Sequence, residues 1–258
     1  MKITALTENT SAFGLPVEHG LSLFIEVNGR ALLFDTGQTA LFADNASRLN
    51  IDLRDVDICV LSHGHYDHGG GLERFLEINS KAPVFLSRYA FEPHFNGERY
   101  IGLDTSLMDS DRLVFTDGVT KIADDMTLYS CNEREKKLDL GSFGLNAEHS
   151  GRLIPDDFRH EHYLLIEENG RRVLISGCSH KGIINIVDWF KPDVLVGGFH
   201  FNKLQPGARL KALAQTLASY DTDYYTCHCT GVEQYEYMKR FMPRLSYLPA
   251  GGRIEVAV

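Results

Sequence analysis

With 258 residues, 43% hydrophobic and 24% charged, the chain is ordinary for a soluble globular protein and long enough to bury a sizeable core. Its net charge of −9 comes with scattered Lys and Arg, where a nucleic-acid partner calls for a basic stripe. No run of about 18 uncharged apolar residues is present, so a membrane span is excluded and a small-molecule substrate is the expected partner.

The first nine residues alternate as a strand does and reach Glu8 too early for a secretory signal. The five Cys are odd in number and accompany no such signal, so reduced thiols and a cytoplasmic location are expected. Cys227-x-Cys229 lacks the two-residue spacer of a zinc knuckle or redox pair. Residues 11–20 hold Gly14, Pro16 and Gly20 and read as a loop. Leu21–Val27 and Ala31–Asp35 then flank Asn28-Gly29, a strong hairpin signal. Asp35-Thr36-Gly37 closes the second strand and, taken alone, reads as a turn. Residues 39–49 carry apolar positions at helical spacing.

Val56–Leu61 is an apolar, β-branched run that reads as a buried strand, and it leads into Ser62-His63-Gly64-His65-Tyr66-Asp67-His68-Gly69-Gly70-Gly71. Three imidazoles and a carboxylate thus fall within six residues at a strand-to-helix junction. Imidazole and carboxylate together suit zinc, iron or manganese. A helix cannot present all four at once, because positions one and two apart do not share a face. The glycines predict a turn, followed by a helix from about Gly70 to Ile78. The free amides of those glycines would favour an anion, and hence a phosphorylated substrate. Pro83–Ser87 reads as the next strand.

Residues 88–160 have weak periodicity, many aromatics and short β signals at 112–115, 119–123 and 126–130; they read as a substrate-shaping insert. From Tyr163 the pattern sharpens. Tyr163–Glu167 and Arg172–Ser176 flank Asn169-Gly170, a second hairpin ending in Gly177-Cys178-Ser179-His180. Helices are expected at about 183–190, 207–219 and 232–241, with strands at 193–196, 223–226 and 254–258. The strand ends carry His200 and Cys227-His228-Cys229-Thr230. In layered α/β proteins functional groups gather at such ends. The chain therefore reads as one domain of two similar halves, without a residue-level repeat.

His63-x-His65-x-Asp67-His68 after a strand resembles the signature of the metallo-β-lactamase-fold metallohydrolases. That resemblance implies an α/β, four-layer αβ/βα sandwich of two mixed sheets flanked by helices, with a metal site, often binuclear, at one edge. It also implies that Asp35 supports the metal loop from behind. Where the superfamily normally places a Gly-Asp bridge, this chain has Gly177-Cys178, with His180 two residues on. Either Cys178 bridges or His180 completes the first site. His149, His160 and His162 are the other candidates for the second-half His, and His180 is preferred to them. His228 matches the last His of the family. Together with His19-Gly20-Leu21-Ser22, Gly197-Gly198-Phe199-His200 and His228-Cys229-Thr230-Gly231, these motifs resemble a subgroup that includes an archaeal dihydropterin-condensing synthase. His19 and His200 are carried over as substrate-facing residues.

The expected chemistry is hydrolysis of an ester, phosphoester or lactone by water activated on one or two divalent ions, zinc first, with iron or manganese as alternatives. His63, His65 and His180 would hold one ion; Asp67, His68 and His228 the other. Asp67 would also act catalytically, orienting the nucleophile and accepting its proton. Two other readings accompany this one. The first is a condensation that expels pyrophosphate from a pterin pyrophosphate. The second is a non-catalytic metal-binding or redox-sensing module, suggested by Cys178, Cys227 and Cys229.

Overall fold

Two hairpins set the frame. A computed structural model describes residues 1–11 and 13–256. In it β1 (Lys2–Thr7) pairs antiparallel with β2 (Ser22–Val27), which turns into β3 (Arg30–Phe34). Asn28 and Gly29 at that turn have φ of 49° and 73°. Positive φ at both central residues is the type I′ turn, whose twist matches that of the strands it joins. Helix α1 (Leu41–Arg48) crosses over to β4 (Ile58–Val60), which lies parallel to β3. Helices α2 (Tyr66–Gly69) and α3 (Leu72–Ile78) then lead to β5 (Val84–Ser87), parallel to β4.

The middle of the chain supplies β6 (His94–Asn96), β7 (Arg99–Tyr100), β8 (Leu113–Thr116), β9 (Val119–Ala123), β10 (Met126–Tyr129), β11 (Leu145–His149) and β12 (Arg152–Pro155). The second hairpin joins β13 (Tyr163–Glu168) to β14 (Arg171–Ile175) through Asn169 and Gly170, with φ of 49° and 80°. Helix α4 (Ile183–Phe190), β15 (Val194–Gly197), α5 (Ala208–Ala218), β16 (Asp223–Thr226), α6 (Val232–Met238), β17 (Leu245–Tyr247) and β18 (Arg253–Glu255) complete the order.

Two seven-stranded sheets result, ordered β18-β1-β2-β3-β4-β5-β8 and β17-β16-β15-β14-β13-β10-β9. Side chains alternate across a strand, so each sheet has an inner and an outer face. Leu23, Ile25, Leu32, Phe34 and Val60 from the first sheet meet Leu164, Ile166, Val173, Ile175 and Val196 from the second in one core. The alternate residues Phe24, Leu33 and Cys59 pack outward with Phe42, Leu72 and Phe75 of the helices. Leu165, Leu174 and Leu195 do the same with Ile183, Val187, Leu210 and Leu217. Helices, sheet, sheet and helices make the four-layer αβ/βα sandwich.

Three expectations are revised. The stretch 88–160 is not one insert: β8 extends the first sheet, and β9 and β10 extend the second. What stands apart is a four-stranded sheet, β12-β11-β6-β7, drawn from the two ends of that stretch. The helix after the His loop begins at Tyr66, pauses at Gly70 and resumes at Leu72. The closing strand is Arg253–Glu255, and positions 257 and 258 of the expected strand lie outside the described residues.

Candidate metal centre

The site lies where strands of both sheets end. After β4 the chain bends at His63 and Gly64 and reaches His65, whose carbonyl accepts the amides of His68 and Gly69 and so starts the short helix α2. Position 64 must be glycine, since a Cβ there would sit 2.1 Å from the Ala90 carbonyl oxygen. The same holds for Gly177 at the end of β14, where a Cβ would lie 2.2 Å from Ser62 Oγ. The missing side chain at Gly64 lets the His loop pack on the segment after β5, and that at Gly177 lets the second-half strand end meet the first-half loop at Ser62 and His63. The three glycine amides after His68 are all engaged: Gly69 donates to His65 O, Gly70 to Tyr66 O and Gly71 to Gly37 O. They form no anion site, and that argument for a phosphorylated substrate falls.

Asp35 supports the loop from behind. Its Oδ1 accepts the Ser62 amide at 2.6 Å, and its Oδ2 accepts Ser62 Oγ–H at 2.7 Å and His68 Nδ1–H at 2.6 Å. With its proton given to Asp35, Ser62 Oγ accepts from His63 Nδ1 at 2.8 Å. Across the site, His180 Nδ1 donates to Glu161 Oε2 at 2.7 Å and His228 Nδ1 to Asn9 Oδ1 at 2.8 Å. Each of these four imidazoles thus has its Nδ1 proton held by a partner. In the neutral ring the lone pair is then left on Nε2, as metal-binding histidines require.

The Nε2 atoms of His63, His65 and His228 are buried and have no hydrogen-bond partner. The ligand atoms of His63, His65 and His180 lie within 4.8 Å of one another, as do those of His19, Asp67 and His228. His68 groups instead with His63 and Cys178, its Nε2 standing 3.2 Å from Cys178 Sγ. Cys178 and His180 are therefore not alternatives. His180 meets the first pair of imidazoles, while Cys178 lies among His68, His228 and Cys229. His228 Nε2, a lone pair by the argument above, faces Asp67 Oδ2 at 3.4 Å. Two acceptors at that separation need a cation between them. Orphaned imidazole nitrogens and facing acceptors fit a divalent metal.

The electrostatics agree. Burial, reinforced by neighbouring imidazoles, pushes His63 and His65 well below the ordinary imidazole range, and His228 to about 4. All three are neutral at pH 7 and available as ligands. Burial would lower His68 as well, but Asp35 and Asp67 raise it above the ordinary imidazole value, so this ring must give up a proton to bind metal. Burial alone would raise the Asp67 carboxyl, but contacts with His19 and His228 and the charge of protonated His68 hold it well below its ordinary value. A carboxylate so held is a good ligand and a weak proton acceptor. Burial raises the Cys178 thiol well above its ordinary value, so it stays protonated unless a cation is near.

His19 reaches the site from the loop after β1, its Nε2 donating to Asp67 Oδ2 at 3.2 Å. The His200 ring lies 4.6 Å from that of His180 and 4.3 Å from Phe143. Both His19 and His200 line a cavity of about 200 Å³, together with His65, Asp67, His180 and His228. Of the other second-half candidates, His149 contacts Arg159 and His162 contacts Thr116. His160 accepts the Gly64 amide on Nδ1 and faces Asp156 with Nε2, in a buried group with His65 and His94 whose ligand atoms also lie within 4.8 Å of one another.

Sequence reasoning missed the groups that fix the imidazoles. Glu161 is fully buried; besides His180 Nδ1 it accepts the amides of His180 and Lys181 and the Tyr163 hydroxyl. Its signal is a carboxylate inside His160-Glu161-His162, directly before an apolar strand. Phe158 stacks on His180 at 4.5 Å. Glu8 accepts the His228 amide at 2.6 Å, and nothing local to Glu8 or Asn9 predicts their contact with His228, some 219 residues away for Asn9.

A family model described as the metallo-beta-lactamase superfamily matches residues 15–220. An uncharacterised protein of Methanocaldococcus jannaschii is 32% identical over 240 residues, covering 89% of this chain and 90% of its own length. The 7,8-dihydropterin-6-methyl-4-(beta-D-ribofuranosyl)-aminobenzene-5'-phosphate synthase of the same organism is 30% identical, covering 99% of this chain and 96% of its own. Among solved structures, Tm1679, described as a metal-dependent hydrolase of the beta-lactamase superfamily, superposes with a TM-score of 0.84 at 30% identity. All of both chains is covered in that match. On the family match, the full-length relatives and the fold together, this chain is an enzyme that belongs to the metallo-beta-lactamase superfamily.

Proposed function

We propose that the protein is a metal-dependent hydrolase of a small ester, phosphoester or lactone, with a binuclear centre built from both halves of the fold. The observation that carries this is the set of buried imidazole Nε2 atoms on His63, His65 and His228 that have no partner. His63, His65 and His180 would hold one ion, zinc by the chemistry of a neutral three-imidazole set. Asp67 and His228 would hold the second, flanked by His68 and Cys178. When bound, divalent ions supply a water of lowered pKa and a Lewis acid for the scissile group. Asp67, kept ionised, orients that water by hydrogen bonding. His19 fixes the Asp67 carboxylate from the solvent side. His200, half-buried and carrying a buried, unpartnered Nδ1, is placed to donate to or accept from the substrate inside the cavity. The five unpaired cysteines among the described residues suit the cytoplasm.

The test is a hydrolase screen with bound metal measured alongside. His65→Ala and His228→Ala are each expected to abolish hydrolysis and deplete metal, and full activity in both variants would sink the assignment.

A second reading is favoured by the full-length match to the pterin synthase. The same residues would bind a dihydropterin pyrophosphate and an aryl amine, with pyrophosphate as leaving group. Incubation with those two reactants distinguishes the readings: release of pyrophosphate with a coupled product favours synthesis, and release without coupling favours hydrolysis.

A further inference from the structure

The cavity over the candidate centre has a rim unlike the rest of this acidic protein. Asp67 is the one carboxylate among its described lining residues, and it faces His19 and His228. The remaining charged groups are two full cations, Arg99 and Lys203, joined by the side-chain amides of Asn96 and Asn202. They come from two unrelated parts of the chain. Asn96 and Arg99 are paired in register on β6 and β7 of the small sheet. Asn202 and Lys203 sit in the segment between β15 and α5, tied to the second half by the Asn202 amide, which donates to Cys229 O at 3.1 Å.

Both cations are exposed, and each is tied to the site by one hydrogen bond. Arg99 lies over the Tyr66 ring, with its guanidinium carbon 5.0 Å from the centroid, and its Nη2 donates to the Tyr66 hydroxyl at 3.1 Å. Tyr66 immediately precedes Asp67, so Arg99 is fixed beside one end of the site. Lys203 Nζ donates to Phe143 O at 3.1 Å, and the Phe143 ring packs on His200 at 4.3 Å. Lys203 is thereby fixed beside the other end. Arg99 and Lys203 carry no carboxylate partner among the described residues. A guanidinium has five N–H donors and an ammonium three, so most of their donors stay open.

We propose that Arg99 and Lys203, with Asn96 and Asn202, form an anion-binding rim that recognises a phosphate group on the substrate. Two cations and two amide donors on one cavity rim match a dianion with several acceptor oxygens better than a single carboxylate. The proposal builds on the hydrolase reading by naming the substrate class as a phosphorylated small molecule. It replaces the glycine amides, which are spent on the backbone, as the source of anion selectivity.

The test uses inorganic phosphate titrated calorimetrically into protein carrying its own metal, with metal content measured for each variant. Arg99→Met and Lys203→Met are each expected to weaken phosphate binding about fivefold, and the double variant about twentyfold, with metal content unchanged. Arg99→Lys should restore part of the loss, since it keeps the charge and loses the fork. Acetate should bind far more weakly and be indifferent to the substitutions; acetate binding as tight as phosphate would overturn the phosphate assignment. A double variant that binds phosphate as tightly as the wild type overturns the rim. Protein that lacks metal yet still loses phosphate binding on these substitutions supports the rim and counts against the metal centre, so the two failures are separable.

Discussion

The two halves of the molecule share a plan, a type I′ hairpin followed by a parallel strand, and distribute their polar groups differently. After β4 one loop holds His63, His65, Asp67 and His68, and two of these imidazoles are fixed by Ser62 and Asp35 of the same sheet end. After β14, β15 and β16 the groups come singly. His180 is fixed by Glu161 from 19 residues away, and His228 by Asn9 from 219 residues away. The first half-site is therefore one loop with partners from its own sheet, and His180 likewise finds its partner within the second half; His228 alone waits on the closed sandwich, which brings it to Asn9. A centre built this way couples metal binding to folding of the whole chain.

The largest expected effect tests whether the halves serve one centre. His65→Ala and His228→Ala should each lower hydrolytic turnover by about a thousandfold or more, as expected when a group acts as part of a unit. Steady-state rates on the best substrate from the screen would show it. A dead first-half variant beside a fully active second-half variant would break the comparison.

Next come the residues behind the ligands. Glu161→Gln and Asp35→Asn should each weaken metal binding about tenfold to a hundredfold, the range for partners that orient a metal-binding histidine. Competition with a chelator measures this, with circular dichroism to confirm the fold. The comparison sharpens if Glu161→Gln leaves the His63–His68 half able to retain an ion, and unchanged affinity in both variants would contradict it.

A smaller effect concerns acid. Burial pushes His160 and His162, which flank Glu161 in the second half, down to about 4 from an ordinary 6.5. Their folded forms resist protonation, so the unfolded chain binds more protons between those values and stability falls as pH drops from 6.5 toward 4. The loss is on the order of 3 kcal/mol for each residue at full extent. Melting temperature followed from pH 7.5 to 4.5 should decline across this window and less so in His160→Gln; a flat profile would remove the account of these two histidines.

The smallest effect is one the halves should share. Asn28 and Asn169 occupy left-handed positions in the two hairpin turns. Asn28→Ala and Asn169→Ala should each cost about 1 kcal/mol in chemical denaturation for the left-handed backbone, once the Asn28 Nδ2 hydrogen bond to Asp125 Oδ2 is removed from the comparison by carrying Asp125→Ala in the background. A large difference between the two would show that the hairpins are not equivalent.

Much of this is readable from the residues because it is local. Asn-Gly pairs, period-2 strands and a dense His cluster each depend on neighbours in sequence. The second-half positions of His180 and His228 are legible only as strand ends, with the family resemblance to connect them. Cys178 and His180 look like rivals for one place in the site, since spacing alone cannot show that the two face different imidazoles. Glu161 stays hidden because the β13–β14 pairing brings His180 to it, and Asn9 and Glu8 because the closed sandwich brings them His228. The middle segment reads as a single insert because β8 and β9 are edge strands and β10 lies next to one, all three partly exposed and weakly patterned, with β8 and β10 placed by pairing with β5 and β13.

The central claim is that both halves contribute ligands to one metal centre. Elemental analysis of protein purified without added metal tests it most directly, comparing the wild type with His65→Ala, His180→Ala and His228→Ala. The account predicts divalent metal in the wild type and depletion in all three variants, whichever half is altered. Full metal in both His180→Ala and His228→Ala, beside a depleted His65→Ala, would contradict it.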